Sequence, residues 1–315
     1  MKKISILIPC YNEQENVIQI ANAVETELKK CTTCDYEICF IDNCSTDNTR
    51  PLIRELAKQN KKIKAIFNVR NFGQFNSPYY GICQQTGDCV ICIAADFQDS
   101  PELIPQMVQK WLEGAKIVSA IKNKSRENPF VYLLRSMYYK LIKRMSEVEM
   151  IEHFTGYALY DKSFVDVLRN LKDPTPFIRG IVAELGFKRV DITFTQPKRK
   201  AGKTHNNWYS LFDAAMLSFT SYTKVGLRIA TIGGFIVSFI SALVAIFYFV
   251  SKLLHWNTFV AGVAPLVIGM FFFGSMQLFF LGFLGEYIMS MNTRIMNRPL
   301  VIEEERIGFE DSSES

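Results

Sequence analysis

Short apolar runs closed by polar tips recur along the first hundred residues. Ile4 to Pro9 ends in Cys10-Tyr11-Asn12-Glu13, and Tyr36 to Ile41 ends in Asp42-Asn43-Cys44-Ser45. Ile63 to Phe67 ends in Asn68-Val69-Arg70-Asn71, and Val90 to Ala95 ends in Asp96-Phe97-Gln98-Asp99. Between the runs, apolar residues fall at helical spacing, as in Val17, Ile20, Ala21, Val24 and Leu28, or Leu52, Ile53 and Leu56. Strand, polar tip and helix repeated four times predict an α/β fold with a doubly wound, mostly parallel sheet. In such a sheet the polar tips share one rim, where ligands bind outside the carboxyl ends of the strands. That rim gathers Tyr11, Glu13, Asp42, Asp47, Arg70, Asp96, Gln98 and Asp99.

The fourth run carries the clearest chemistry. Val90 to Ala95 has no charge and reads as a strand buried on both faces. Ser100-Pro101-Glu102 then signals a helix start. Asp96, Gln98 and Asp99 at the strand's end are oxygen ligands suited to a hard divalent cation. The plainer alternative is a loop acid cluster that caps the next helix. No Gly-rich phosphate loop occurs, so neither a Walker nor a dinucleotide fingerprint is supported.

The character of the chain then changes. Phe130, Leu133, Leu134, Met137, Leu141 and Met145 make one apolar face beside Arg135, Lys140, Lys143 and Arg144, and Trp208 to Lys224 is a second amphipathic stretch. Two readings are open for each: a cover over the sheet, or a helix on a membrane surface. Between them runs a basic loop, Pro197 to His205, readable as solvated or as a phosphate clamp. Ile229 to Ser251 and Phe259 to Gly285 are both uncharged and long enough to cross a bilayer. Lys224 and Arg228 precede the first and Arg294 and Arg298 follow the second, with Lys252 alone between, so a hairpin with both ends cytosolic is expected. Near such a hairpin the two amphipathic stretches read as interfacial helices. Gly226, Ala230, Gly234, Ser238 and Ala242 form a small-residue stripe suited to packing inside the hairpin or in a homo-oligomer. The acidic tail from Glu303 to Ser315 reads as disordered.

Composition narrows the picture further. A net charge of +5 is too mild to suggest a nucleic-acid partner. All eight cysteines precede residue 93. Cys31 with Cys34 and Cys89 with Cys92 have zinc-like spacing, but the second pair falls within the apolar strand, where cysteine acts as a small hydrophobe. No signal peptide is evident at the start, so reduced cytosolic thiols are expected.

ISILIPCYNEQENV, FIDNCSTDNT, NVRNFG and ADFQDSPELI, in that order, resemble the motifs of family 2 glycosyltransferases with the GT-A fold. With the two apolar spans, the chain is similar to polyprenyl-phosphate glycosyltransferases, relatives of dolichyl-phosphate mannose synthase. The resemblance implies that Pro9, Tyr11, Glu13 and Asp42 bind the nucleotide of a sugar donor, with Arg70 lining the same pocket. It implies a Mg or Mn ion at Asp96 and Gln98, bridging the donor diphosphate, and basic residues Arg179 and Arg199 near phosphates. Four positions depart from the family pattern: Ala94 and Asn43 replace acids, Tyr157-Ala158-Leu159 replaces Asp-Phe-Arg, and Thr204-His205 replaces Ser-Lys.

The expected function is an inverting, metal-dependent glycosyltransferase of the cell membrane. It would move one sugar from a nucleotide sugar, UDP-linked by the resemblance, onto undecaprenyl phosphate or a similar lipid, for cell wall or surface polysaccharide synthesis. Asp96, Asp99, Arg179 and Arg199 are the candidate catalytic residues, and Arg179, Arg199 and Lys203 would draw in the lipid phosphate. A lipid phosphate with its second pKa near 6 is already largely a dianion and needs no general base, which suits the absence of an acid at position 157. The expected organisation is a cytosolic catalytic domain over 1–205, an interfacial helix over 206–224, a hairpin over 225–290 with spans at about 229–251 and 259–285, and a cytosolic tail over 291–315. The competing readings are a membrane-tethered nucleotide-sugar-binding scaffold without turnover, a transferase acting on a sugar hydroxyl, and a processive polysaccharide synthase. Two spans are too few for a polymer channel.

Overall fold

The computed structural model describes residues 1–124, 151, 153–197, 263–296 and 298–309, with short pieces between 232 and 254. The amphipathic stretches at 128–145 and 208–224 and the basic loop with Arg199 and Lys203 lie outside the described residues.

The four expected strands form: β1 (Lys2–Cys10), β2 (Cys34–Asp42), β3 (Ile63–Asn68) and β4 (Cys89–Cys92). They alternate with α1 (Val17–Leu28), α2 (Thr49–Gln59) and α3 (Gly73–Gln84), and a short 3-10 turn leads into α4 (Ile104–Leu112). Beyond these come β5 (Ile117–Lys124), β6 (Phe154–Asp161), α5 (Lys162–Leu171), α6 (Ile178–Glu184) and β7 (Arg189–Thr195). The chain described ends with α7 (Val263–Ile295) and β8 (Glu303–Ile307).

The sheet has eight strands in the order β7-β5-β6-β4-β1-β2-β3-β8. β4, β1, β2 and β3 run parallel, and β6 enters antiparallel beside β4, so the sheet is mixed. One face packs Ile4, Ile6, Ile8, Phe40 and Phe67 against α1, α2 and α4; the other packs Leu7, Cys39, Ile41 and Ile66 against α3, α5 and α6. Both faces are therefore apolar, the reason strands of a covered parallel sheet read as near-continuous hydrophobic runs. Gly87 is required where the turn into β4 crosses β1, since a Cβ there would stand 2.6 Å from Ser5 Oγ and 2.8 Å from the Lys3 carbonyl.

Part of the expected disordered tail is ordered. Glu303–Ile307 pairs antiparallel with β3 and closes that edge of the sheet. Acidic side chains are held there by Arg50 to Glu304 at 2.9 Å, Arg54 to Glu305 at 2.6 Å and Tyr80 to Glu303 at 2.9 Å. A strand with charges on its edge resists pairing with other molecules, and here matched cations make it part of one sheet.

Helix α7 is 33 residues long. Its stretch Phe272–Thr293 is the one candidate among the described residues long and apolar enough to cross a membrane, with mean hydropathy 1.3 and none of it buried in the protein. Leu278 and Phe279 are exposed by 72% and 69%.

Candidate active site

The rim of polar tips forms as the alternation implies, and its loops are laced together. Asn12 beyond β1 takes a hydrogen bond from Thr46 N–H at 2.8 Å and gives its own N–H to Ser45 Oγ at 2.9 Å. Glu13 N–H donates to Thr49 Oγ1 at 2.9 Å, and Gln14 and Asn48 exchange a further bond at 3.0 Å. The tip of β1 thus sits fixed on the tip of β2, with Cys10 and Asp42 in register. Asn12, Cys44 and Phe97 all take positive φ, at 56°, 65° and 62°. Left-handed backbone at such residues is costly, and strain of this kind collects at functional sites.

Pro9 lies near the end of β1, Tyr11 is half-buried just beyond it, and Glu13 is buried and accepts a bond from Asn16 Nδ2 at 2.6 Å. Asp42 is fully buried, with Ser45 donating to it from both backbone and hydroxyl, and Arg50 Nε at 2.7 Å. Arg70 is exposed, its guanidinium over the Phe72 ring at 4.1 Å.

Asn43 fills a place that the family pattern gives to an acid. Its Oδ1 accepts from Phe72 N–H at 2.9 Å and from Asn68 Nδ2 at 3.1 Å. Its Nδ2 donates to Asn71 Oδ1 at 2.9 Å and to the Gly73 carbonyl at 3.2 Å. A carboxylate has no N–H to give, so only an amide satisfies this set. The residue shapes the loop that carries Arg70.

Around β4 the half-buried Asp96 accepts from Gln98 N–H at 3.1 Å, and Asp99 turns inward to accept the Ala94 N–H at 3.0 Å. Burial pushes the Asp99 carboxyl up to about 7; the Ala94 N–H and Arg179 work against this, and Asp96 adds to it. Asp99 thus lies within electrostatic reach of both Asp96 and Arg179. Arg179 enters on the first turn of α6, next to Phe177, whose ring meets Phe75 of α3 edge-on at 5.6 Å. Tyr157, at the position of the family's acid, is buried and gives its hydroxyl to the Ser100 carbonyl at 2.8 Å. It braces the turn that follows Asp99.

Among the described residues no group of three His, Cys, Asp or Glu side chains is placed to hold a metal ion. Asp96 offers a half-buried carboxylate in the turn beyond β4, which ends at Cys92, beside Gln98. Such a set fits an ion that takes most of its ligands from substrate phosphates and water, as magnesium commonly does. Of the two residues that organise the rim, sequence reading missed Arg50 and took Asn43 only as a replaced acid. Their signal was weak: one polar side chain each, within tips already rich in polar residues.

A family model described as glycosyl transferase family 2 matches residues 5–169. The chain belongs to that family. An uncharacterized glycosyltransferase of Synechocystis is 32% identical over 312 residues, 98% of this chain and 96% of that protein. A prophage-derived bactoprenol glucosyl transferase of Shigella flexneri is 30% identical over 301 residues, 95% of this chain and 97% of the other. Mannosyl-3-phosphoglycerate synthase of Rubrobacter xylanophilus shares the fold with a TM-score of 0.50 at 17% identity, over 74% of this chain and 75% of that one. The protein is therefore a glycosyltransferase with an α/β, GT-A-like fold.

Proposed function

We propose that this glycosyltransferase moves a single sugar, with inversion, from a nucleotide diphosphate donor to a polyprenyl phosphate on the cytosolic face of the cell membrane. The observation that carries this reading is the reach of the similarity. The family model ends at residue 169, whereas the match to the bactoprenol glucosyl transferase runs over 95% of the chain and so takes in the apolar region. A relative similar in its catalytic half alone would give no ground for a lipid acceptor.

Strand pairing supports the membrane topology. β8 follows α7 yet lies in the same sheet as β1 to β7, so both ends of the intervening segment stand on one side of any bilayer. Such an arrangement suits an even number of crossings. This supports a hairpin with its first span near 229–251 and its second within α7, both ends cytosolic by the positive-inside rule.

In this reading Pro9, Tyr11, Glu13, Asp42 and Arg70 surround the nucleotide, UDP by the family resemblance. Asp96 with Gln98 would hold a Mg or Mn ion, which supplies charge neutralisation of the leaving diphosphate. Arg179, with Arg199 and Lys203 of the basic loop, draws in the acceptor phosphate. The dianionic phosphate oxygen attacks without a general base, and Tyr157 keeps a purely supporting place. The test is Asp96→Asn in the full-length protein, assayed for sugar transfer to undecaprenyl phosphate. Transfer is lost while the protein stays folded and membrane-bound. Turnover at the wild-type rate sinks the assignment, and donor binding without turnover in the wild type points to a nucleotide-sugar-binding scaffold.

A further inference from the structure

A cavity of about 340 Å³ lies where the end of α7 meets the loop after β3. Arg70, Phe72 and Asn76 line it from the catalytic side, and Thr293, Met296 and Arg298 from the end of α7 and the segment beyond it. Its volume is at the small end for ligand pockets, which run from about 300 Å³ upward. The two walls are tied together: Val69 N–H, next to Arg70, donates to the Ile302 carbonyl at 3.1 Å, and Val301, three residues after Arg298, is buried. The cavity is thus built by the same return of the chain that makes β8.

Its charge is unbalanced. Arg50, Arg54, Arg169, Arg189 and Arg306 each pair with a carboxylate. Among the described residues neither Arg70 nor Arg298 does; Arg70 lies over the Phe72 ring and donates to the Asn71 carbonyl at 3.2 Å. Two guanidinium groups on one concave surface, with the Asn76 amide beside them, match a phosphate ester, for which arginine's planar fork is suited. The apolar stretch of α7 ends at Thr293, so the cavity stands where that helix leaves its apolar segment.

We propose that this cavity binds the phosphate of a lipid head group; it borders the rim through Arg70, and its other walls include the end of α7 and the segment beyond it. The site fixes the end of α7, and with it the catalytic sheet, against the anionic lipid surface. It does not depend on which lipid accepts the sugar.

The test uses the full-length protein in neutral detergent, titrated with short-chain phosphatidate, with phosphatidylcholine of the same chain length, and with inorganic phosphate as competitor. Phosphatidate binds the wild type, and Arg298→Gln weakens that binding about tenfold, as loss of a charge-assisted contact does. Arg298→Lys recovers part of it. Melting temperature and donor binding stay unchanged in Arg298→Gln, which excludes simple misfolding. Displacement by inorganic phosphate supports the anion site with a soluble source, and no displacement supports the lipid as its ligand. Equal binding of phosphatidate and phosphatidylcholine, or binding indifferent to Arg298→Gln, overturns the proposal. The readout is lipid binding rather than sugar transfer, so its failure is separate from a failure of the transferase reading.

Discussion

Arg50 holds Asp42 with its Nε at 2.7 Å while its Nη1 reaches Glu304 at 2.9 Å, so one guanidinium joins the tip of β2 to the C-terminal strand. Its remaining Nη2 donates to the Asn68 carbonyl at 2.6 Å at the end of β3. Three neighbouring strands of the rim therefore share a single cation. Removing it leaves the buried Asp42 charge without its partner, which costs roughly 3–5 kcal/mol. Arg50→Gln is expected to lower the midpoint of thermal unfolding sharply. Glu304→Gln, at the half-exposed end of the same chain, costs less than about 1 kcal/mol.

Asn43→Asp changes shape very little but removes two donated hydrogen bonds, to Asn71 and Gly73. The expected loss is about 1–3 kcal/mol, the scale of a buried polar group left unsatisfied. Because the loop carries Arg70, donor affinity falls as well. Thermal unfolding and nucleotide titration of the same preparation check both effects. A variant with unchanged stability and donor binding would show that the amide is dispensable.

Tyr157→Phe removes only the bond to the Ser100 carbonyl. A stability loss of about 1 kcal/mol is expected. Sugar transfer should keep most of its wild-type rate, since the hydroxyl takes no part in the chemistry. A fall in kcat comparable to that of Asp96→Asn would instead make the phenol a catalytic group.

Asp161 provides the pH test. It caps α5, accepting from Ser163 N–H at 3.0 Å, Trp111 Nε1 at 2.8 Å and Lys116 Nζ at 2.9 Å. Burial works to raise its pKa, but these hydrogen bonds outweigh it and bring the carboxyl down to about 2. Its folded value lies below the unfolded one of about 3.9, so its stabilisation is complete above that value and is lost as pH falls toward 2. The contribution at neutral pH is on the order of 1–2 kcal/mol after allowance for solvent screening. Denaturation midpoints of wild type and Asp161→Asn should differ at pH 7 and converge as the pH approaches 2. A difference that persists unchanged at low pH would remove the charge from the explanation.

The parts legible in the sequence were those with local signals. The runs at Ile4, Tyr36, Ile63 and Val90 became β1 to β4 because strands covered on both faces carry continuous apolar residues between polar tips. β8 was not legible. Glu303-Glu304-Glu305-Arg306-Ile307 reads as a solvated tail because its partners Arg50 and Arg54 lie about 250 residues away in sequence. Pairing over that distance leaves no mark on local composition. The rim was visible as a set of polar tips, but the roles within it were not. Asn43 looked like a lost acid and proved to be a four-bonded hub, and Tyr157 looked like a missing base and proved to be a buried brace.

Sugar transfer to a polyprenyl phosphate is read out by following labelled sugar into lipid. The full-length protein is incubated in vesicles containing undecaprenyl phosphate with a panel of UDP- and GDP-sugars, with and without magnesium or manganese. A lipid-extractable product is expected from one donor, formed only with the divalent cation and absent in Asp96→Asn. No lipid-linked product from any donor, despite measurable binding of a nucleotide sugar, would contradict it.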